Sequence, residues 1–143
     1  MATNEVRCVE IPPFFAELLR SPGVATLSML SSDGSIQSTL VWPDYDGEFI
    51  RINTLAGSPK EKNIRREGRA TILLYDPQDS DVYITLRCEL DRITRDSAID
   101  HLDMLTRRNM NVDKWYGVVE PENAELEARR VVIYLRPVRL YHT

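Results

Sequence analysis

The sequence predicts a mainly β domain of six antiparallel strands, with a few helices, closed as a small barrel. Three observations carry this. Short runs alternate in side-chain character, as Ala25, Leu27 and Met29 do with Val24, Thr26 and Ser28. Most runs are joined by tight Gly, Pro and Asp turns, too short for the crossovers that a parallel sheet needs. Helical signals are confined to the start of the chain, the segment after the third strand and the segment before the sixth. The size, 143 residues with 43% hydrophobic and 28% charged, suits one compact domain, read as residues 1–143 with an N-terminal extension over 1–12.

Taken in order, Pro12-Pro13 precedes Phe14, Phe15, Leu18 and Leu19, an apolar stripe with proline in the first turn, and Ser21-Pro22-Gly23 stops it. Val24 to Leu30 and Ile36 to Trp42 flank Asp33-Gly34, a strong hairpin signal. Pro43 to Gly47 reads as a turn and Glu48 to Thr54 as the third strand. Ser58-Pro59-Lys60-Glu61 is a capping box: a serine N-cap, proline at the first helical position and glutamate at the third. It opens a helix that ends at Gly68. Arg69 to Tyr75 is the fourth strand and Asp76 to Asp81 a polar turn. Val82 to about Ile93 is a long fifth strand with Tyr83, Thr85, Arg87 and Glu89 on one face. Asp96 is the expected cap of a helix that buries Ile99, Leu102 and Leu105. Asn109 to Asn123 reads as irregular, and Arg130 to Tyr141 as the last strand.

Several classes of chemistry find no support. The two cysteines, Cys8 and Cys88, are 80 positions apart and match neither a metal nor a redox spacing, so both are read as reduced structural thiols. His101 and His142 form no H-x-x-x-H or H-E-x-x-H pattern, and no G-x-S-x-G elbow is present, which argues against a metal site and against hydrolysis. No apolar run approaches the about 20 residues of a membrane span, and Met1 to Glu10 lacks a signal-peptide core, so a cytoplasmic location is expected. A net charge of −4 argues against nucleic acid, yet Pro59 to Arg69 carries +3 and Asp76 to Asp103 carries −5. An anion would seek the first of these. There the free amides of a helix N-terminus, the hydroxyls of Thr54 and Ser58 and the Lys60 ammonium can converge on a phosphate, while a capped helix with a solvated basic face is the plainer alternative.

D-G-S-x-Q at Asp33 to Gln37, V-W-P-D-Y-D-G at Val41 to Gly47, T-x-x-x-S-x-K-x-x-N-I-R-R at Thr54 to Arg66 and the closing V-V-I-Y-L-R-P-V-R-L-Y-H together resemble one family over about residues 14 to 142. It is the split β-barrel flavin and deazaflavin oxidoreductase superfamily, which includes pyridoxamine 5′-phosphate oxidase. The short branch of coenzyme F-420-dependent reductases is the closer match. Gln37 stands where the oxidases proper offer Arg, Pro59 stands where they have Arg before the Lys, and their W-R-L-type C-terminus is missing. Cys88 stands where the family usually has Gly.

The resemblance implies an FMN-binding-like, six-stranded split barrel that is homodimeric, with the cofactor at the subunit interface. Gln37, Thr39 and the chain near Leu40 to Trp42 would line the ring. Thr54, Leu55, Ala56, Ser58 and Lys60 would hold the ribityl-phosphate end, with Asn63 and Arg66 beside them. Tyr83, Trp115 or Tyr116 would approach from the other subunit. The implied activity is hydride transfer between reduced coenzyme F-420 and a small conjugated acceptor, with no protein nucleophile and no assigned catalytic residue. An FMN-dependent oxidoreductase, or a protein that binds flavin or deazaflavin without turnover, is the alternative. Neither a metal, nucleic acid nor a membrane is implied as a partner.

Overall fold

The structure, a computed structural model, describes residues 9–143. Cys8 and most of the predicted N-terminal extension lie outside the described residues. One seven-stranded antiparallel sheet runs β2-β1-β5-β6-β7-β4-β3. Its strands are β1 (Ala25–Leu30), β2 (Ile36–Val41), β3 (Asp44–Tyr45), β4 (Ile50–Leu55), β5 (Arg69–Asp76), β6 (Asp79–Thr94) and β7 (Arg130–His142). The helices are α1 (Pro13–Leu19), α2 (Pro59–Glu67), α3 (Ala98–Met110) and α4 (Ala124–Ala128). The six predicted strands are all present. The seventh, β3, falls inside the expected Pro43 to Gly47 turn, where Asp44 and Tyr45 pair with Arg51 and Ile50.

Closure follows from chain reach. The two outermost strands of the sheet, β2 and β3, are joined only by Trp42 and Pro43. At about 3.3–3.6 Å per residue this link spans roughly 10 Å, so the sheet must curl until its edges meet. The concave face is packed with Leu27, Ile50, Ile52, Ile72, Ile84, Leu86, Ile133 and Leu135, all fully buried. Phe15 and Leu19 of α1 and Ile64 of α2 join the same core.

Local chemistry sets the helices. Ser58 accepts from the Glu61 amide at 3.3 Å while a Glu61 carboxylate oxygen accepts from the Gly57 amide at 3.3 Å, and Gly68 ends α2 at φ 71°. The capping box thus forms, displaced by one residue at its back-bond. The expected Asp96 cap does not form: Ser97 is the N-cap residue, in the left-handed region at φ 56° and with no side-chain cap, and the Asp96 amide bonds to Thr94. Helix α3 buries Ala98, His101, Leu102, Leu105 and Thr106, whereas Ile99 is half-buried. It extends into the segment read as irregular. On α1 only part of the expected stripe is inside: Phe14 is 53% exposed because it lies beside Phe15, not a turn away.

The predicted face of β6 is confirmed, with Ile84, Leu86 and Cys88 buried and Tyr83, Thr85, Arg87 and Glu89 turned outward. Between Arg87 and Cys88 the pairing with β7 shifts by one residue past Val138. The Cys88 side chain packs in the core there. Burial pushes its thiol up to about 12, leaving about one molecule in ten thousand as thiolate at pH 8. In a Cys8→Ser variant, a disulfide reagent at pH 8 is expected to leave Cys88 intact until denaturant is added; fast labelling of the folded protein would refute this.

Candidate functional site

Strands β4 and β7 and helix α2 meet at one end of the barrel, under α3. Thr54 and Leu55 of β4 pair with Val131 and Arg130 of β7. Since side chains alternate, Asn53 and Leu55 share a face with Arg130 and Val132, while Ile52 and Thr54 point into the core. A cavity of about 370 Å³ opens on that outward face, near the lower end of small-ligand sites. Trp42, Trp115, Leu102 and Leu105 wall it, and Lys60, Arg130 and Asn53 supply its polar groups. The two indoles stand edge to face, 6.0 Å between centroids. The Trp115 Nε1 is buried without a hydrogen-bond acceptor.

Charge defines what this cavity can take. Among the described residues, no carboxylate pairs with Lys60 or Arg130. Burial, and then the nearby Arg130 charge, lower the Lys60 pKa from its ordinary value. Two cations therefore line one partly apolar cavity, an arrangement that a phosphate or carboxylate would stabilise. Arg130 is held from behind: its Nε donates to the Tyr116 hydroxyl at 3.1 Å and its Nη1 to Asn53 Oδ1 at 3.3 Å. A larger cleft of about 460 Å³ lies on the outer face of the sheet, by Met29, Ile36, Thr71 and Val138. It mixes Arg69 and Arg87 with Glu89 and contains none of the residues that the sequence places at a cofactor.

The sequence-predicted residues divide into groups. Trp42 and Lys60 line the cavity. Thr54 and Ser58 share a hydroxyl contact of 3.2 Å beneath the start of α2, and the Leu55 carbonyl accepts from the Ser58 amide. The Ala56 backbone is already engaged: its amide donates to the Arg129 carbonyl at 2.7 Å, and its own carbonyl accepts from the Arg129 guanidinium. Gln37 accepts from Asn63 Nδ2 at 2.6 Å, and Arg66 donates to Asn63 Oδ1 and to the Leu30 carbonyl. These three clamp α2 to the β1–β2 hairpin. Thr39 is half-buried on β2 opposite Leu27. Tyr83, 41% exposed, pairs with Tyr75 on the outer sheet face and does not line the cavity. Arg65 is engaged by Glu61 at 2.6 Å. The basic surplus of the segment is thus partly neutralised, and only Lys60 of α2 reaches the cavity.

Sequence reasoning missed Asn53, Arg130 and a buried cluster behind them. Asp44, only 2% exposed, accepts from Arg51 Nε at 2.7 Å and Nη2, and from Arg108 Nη1 at 3.1 Å. Burial alone would raise its pKa. The His101 ring, the arginine hydrogen bonds and the Arg51 charge outweigh that and hold the carboxyl well below the usual range. Arg130 did carry a signal, as the charged residue directly before the apolar run Val131 to Leu135. Asp44 carried none, because it reads as one more turn aspartate.

The curled antiparallel sheet, with its cavity at the β4–α2 junction, is a split barrel. A family model described as pyridoxamine 5′-phosphate oxidase matches residues 11–143, and the chain belongs to that family. Among solved structures, an F-420 reductase is similar at 23% identity, with 92% of this chain and 98% of that one covered and a TM-score of 0.75. A conserved hypothetical protein from Mycobacterium tuberculosis is 21% identical, covering 99% and 89%, with a TM-score of 0.67. A putative pyridoxamine 5′-phosphate oxidase from Listeria innocua is 16% identical, covering 90% and 94%, with a TM-score of 0.65. No curated protein matches the chain. No helix among the described residues is long and apolar enough to cross a membrane.

Proposed function

We propose that the protein is an oxidoreductase that binds reduced coenzyme F-420 and positions a small conjugated acceptor for hydride transfer. The observation that carries this is the Lys60 and Arg130 pair, without an acidic partner among the described residues, at one cavity walled by Trp42 and Trp115. The Thr54 to Arg66 motif and the likeness to an F-420 reductase support the choice of cofactor. The cofactor, when bound, supplies the hydride chemistry. The chain supplies binding and orientation. Lys60 and Arg130 fix an anionic group, the indoles present flat apolar walls that exclude water, and Asn53 and Tyr116 hold the guanidinium still. FMN is the second reading, because Lys60 and Arg130 make one anion site and a single phosphate satisfies it.

A second copy of the chain completes this reading. Ile36, Leu40, Leu73, Tyr75, Tyr83 and Tyr141 are exposed large apolar residues, and along the strands they alternate with polar ones outside the barrel. Such a face gains by burial against its own copy. In that dimer Tyr83 would belong to the partner's site and not to its own.

Fluorescence titration of the purified protein with coenzyme F-420, and in parallel with FMN, tests the reading. Tighter binding of F-420, a dimer in sedimentation equilibrium, and oxidation of the reduced coenzyme by conjugated acceptors are expected. Preference for FMN would select the second reading, binding without turnover would make the protein a carrier, and binding of neither would overturn both.

A further inference from the structure

Behind the cavity, an unbroken line of polar contacts leads from the surface anion site to the buried carboxylate. Arg130 Nη1 donates to Asn53 Oδ1 at 3.3 Å. Asn53 Nδ2 donates to the Ala98 carbonyl at 2.8 Å and faces His101 Nδ1 at 3.1 Å. An amide nitrogen has two hydrogens and no lone pair to offer, so with one hydrogen on Ala98 the other points at His101, and Nδ1 must be the acceptor. The imidazole proton then sits on Nε2, which is buried and has no hydrogen-bond partner. It faces Asp44 Oδ2 at 3.7 Å, an electrostatic contact longer than a hydrogen bond.

We propose that His101, acting through Asn53, is a positioning residue for Arg130, and that protonation of its imidazole withdraws the guanidinium from the anion site. This rests on the reading of the Lys60 and Arg130 cavity as that site. A proton added at His101 Nδ1 sets an N–H against the Asn53 N–H that points at it. The conflict is relieved when the Asn53 amide turns over and presents Oδ1 to the imidazolium. The turn costs the Ala98 bond and leaves Asn53 Nδ2, a donor, against Arg130 Nη1, also a donor. The Asn53 anchor of Arg130 is lost, while Tyr116 still holds Nε. His101 is only 6% exposed, so the proton cannot be screened by water at the ring. The Asp44 carboxylate of β3 faces Nε2, already shared with Arg51 of β4 and Arg108 of α3. Asp96, Asp100, Arg51 and Tyr134 border the small cavity that His101 also lines.

The test begins without any cofactor. In nitrogen-15 NMR of the full chain, the Arg130 Nε–H signal, identified as the one absent from Arg130→Lys, is followed with the His101 ring signals from neutral to mildly acid pH. The Arg130 signal is expected to move with the His101 midpoint. It is expected to become insensitive to pH in His101→Asn, whose side-chain oxygen can replace Nδ1 as the acceptor from Asn53. An Arg130 signal that does not follow His101, or that titrates equally in His101→Asn, overturns the proposal. The binding arm compares coenzyme F-420 affinity in the two proteins. Wild type is expected to lose about tenfold more affinity on acidification than His101→Asn, the ligand's own phosphate titration being common to both; equal losses overturn the role in positioning. Affinity indifferent to Arg130→Ala overturns the anion-site reading instead, and the cofactor-free titration then decides the linkage by itself.

Discussion

Lys60→Ala is expected to weaken coenzyme F-420 binding by about 1.5–3 kcal/mol, roughly ten- to a hundredfold in Kd, the range for a charge-assisted hydrogen bond to an anion. The same change should leave the cofactor-free protein no less stable. Among the described residues Lys60 has no acidic partner, and its pKa is lowered by burial and then by Arg130, so the folded state holds that proton less readily than the unfolded chain. At neutral pH the charge therefore costs stability in the folded state, and its removal should leave Tm unchanged or slightly raised. The opposed signs are diagnostic. A surface lysine outside the site would change neither quantity, and a structural one would lower Tm. Undiminished cofactor affinity in the variant would remove Lys60 from the site.

The largest effect on folding is expected from Asp44→Asn. The substitution is nearly isosteric, but it leaves the Arg51 and Arg108 guanidiniums converging on a neutral amide at a position 2% exposed. Removing one partner of a buried ion pair costs about 3–5 kcal/mol, and the partly exposed arginines, with side chains 26% and 20% exposed, place this case toward the lower figure. The pH dependence follows from linkage. The Asp44 pKa is depressed in the folded protein, so its stabilisation is complete above the unfolded value of 3.8 and is lost as pH falls below that toward the folded pKa. Urea unfolding should show the full difference between wild type and variant at pH 7 and a shrinking one below about pH 4. A difference under about 1 kcal/mol at pH 7 would show that the cluster does not hold β3 to α3.

Because Asp44 ties β3 to β4 and α3, and His101 and Asn53 lie between that tie and Arg130, the fold and the site share one polar scaffold. Stability measured on Asp44 variants and binding measured on Arg130 variants therefore report on adjoining parts of a single network, and pairs among them are expected to be non-additive.

Local patterns in the chain determined the strands, the hairpin at Asp33-Gly34 and the capped start of α2, because each depends on side-chain alternation or turn chemistry within a few residues. The helix start also fixed where Lys60 lies, whereas Trp42, just past the end of β2, was named only through the family resemblance. The extra strand β3 escaped because a two-residue strand has no period to read. Its pairing depends on the sheet curling until the edges meet. Arg66 and Lys60 look equivalent as helix cations, yet six residues along α2 turn Arg66 toward the Leu30 carbonyl and leave Lys60 at the cavity. Asp44, Asn53, His101 and Arg130 are spread over 87 sequence positions, and only tertiary packing of β3, β4, α3 and β7 makes them one line. No local signal marks such a line, since the desolvation that makes a buried charge consequential exists only once the chain has closed around it.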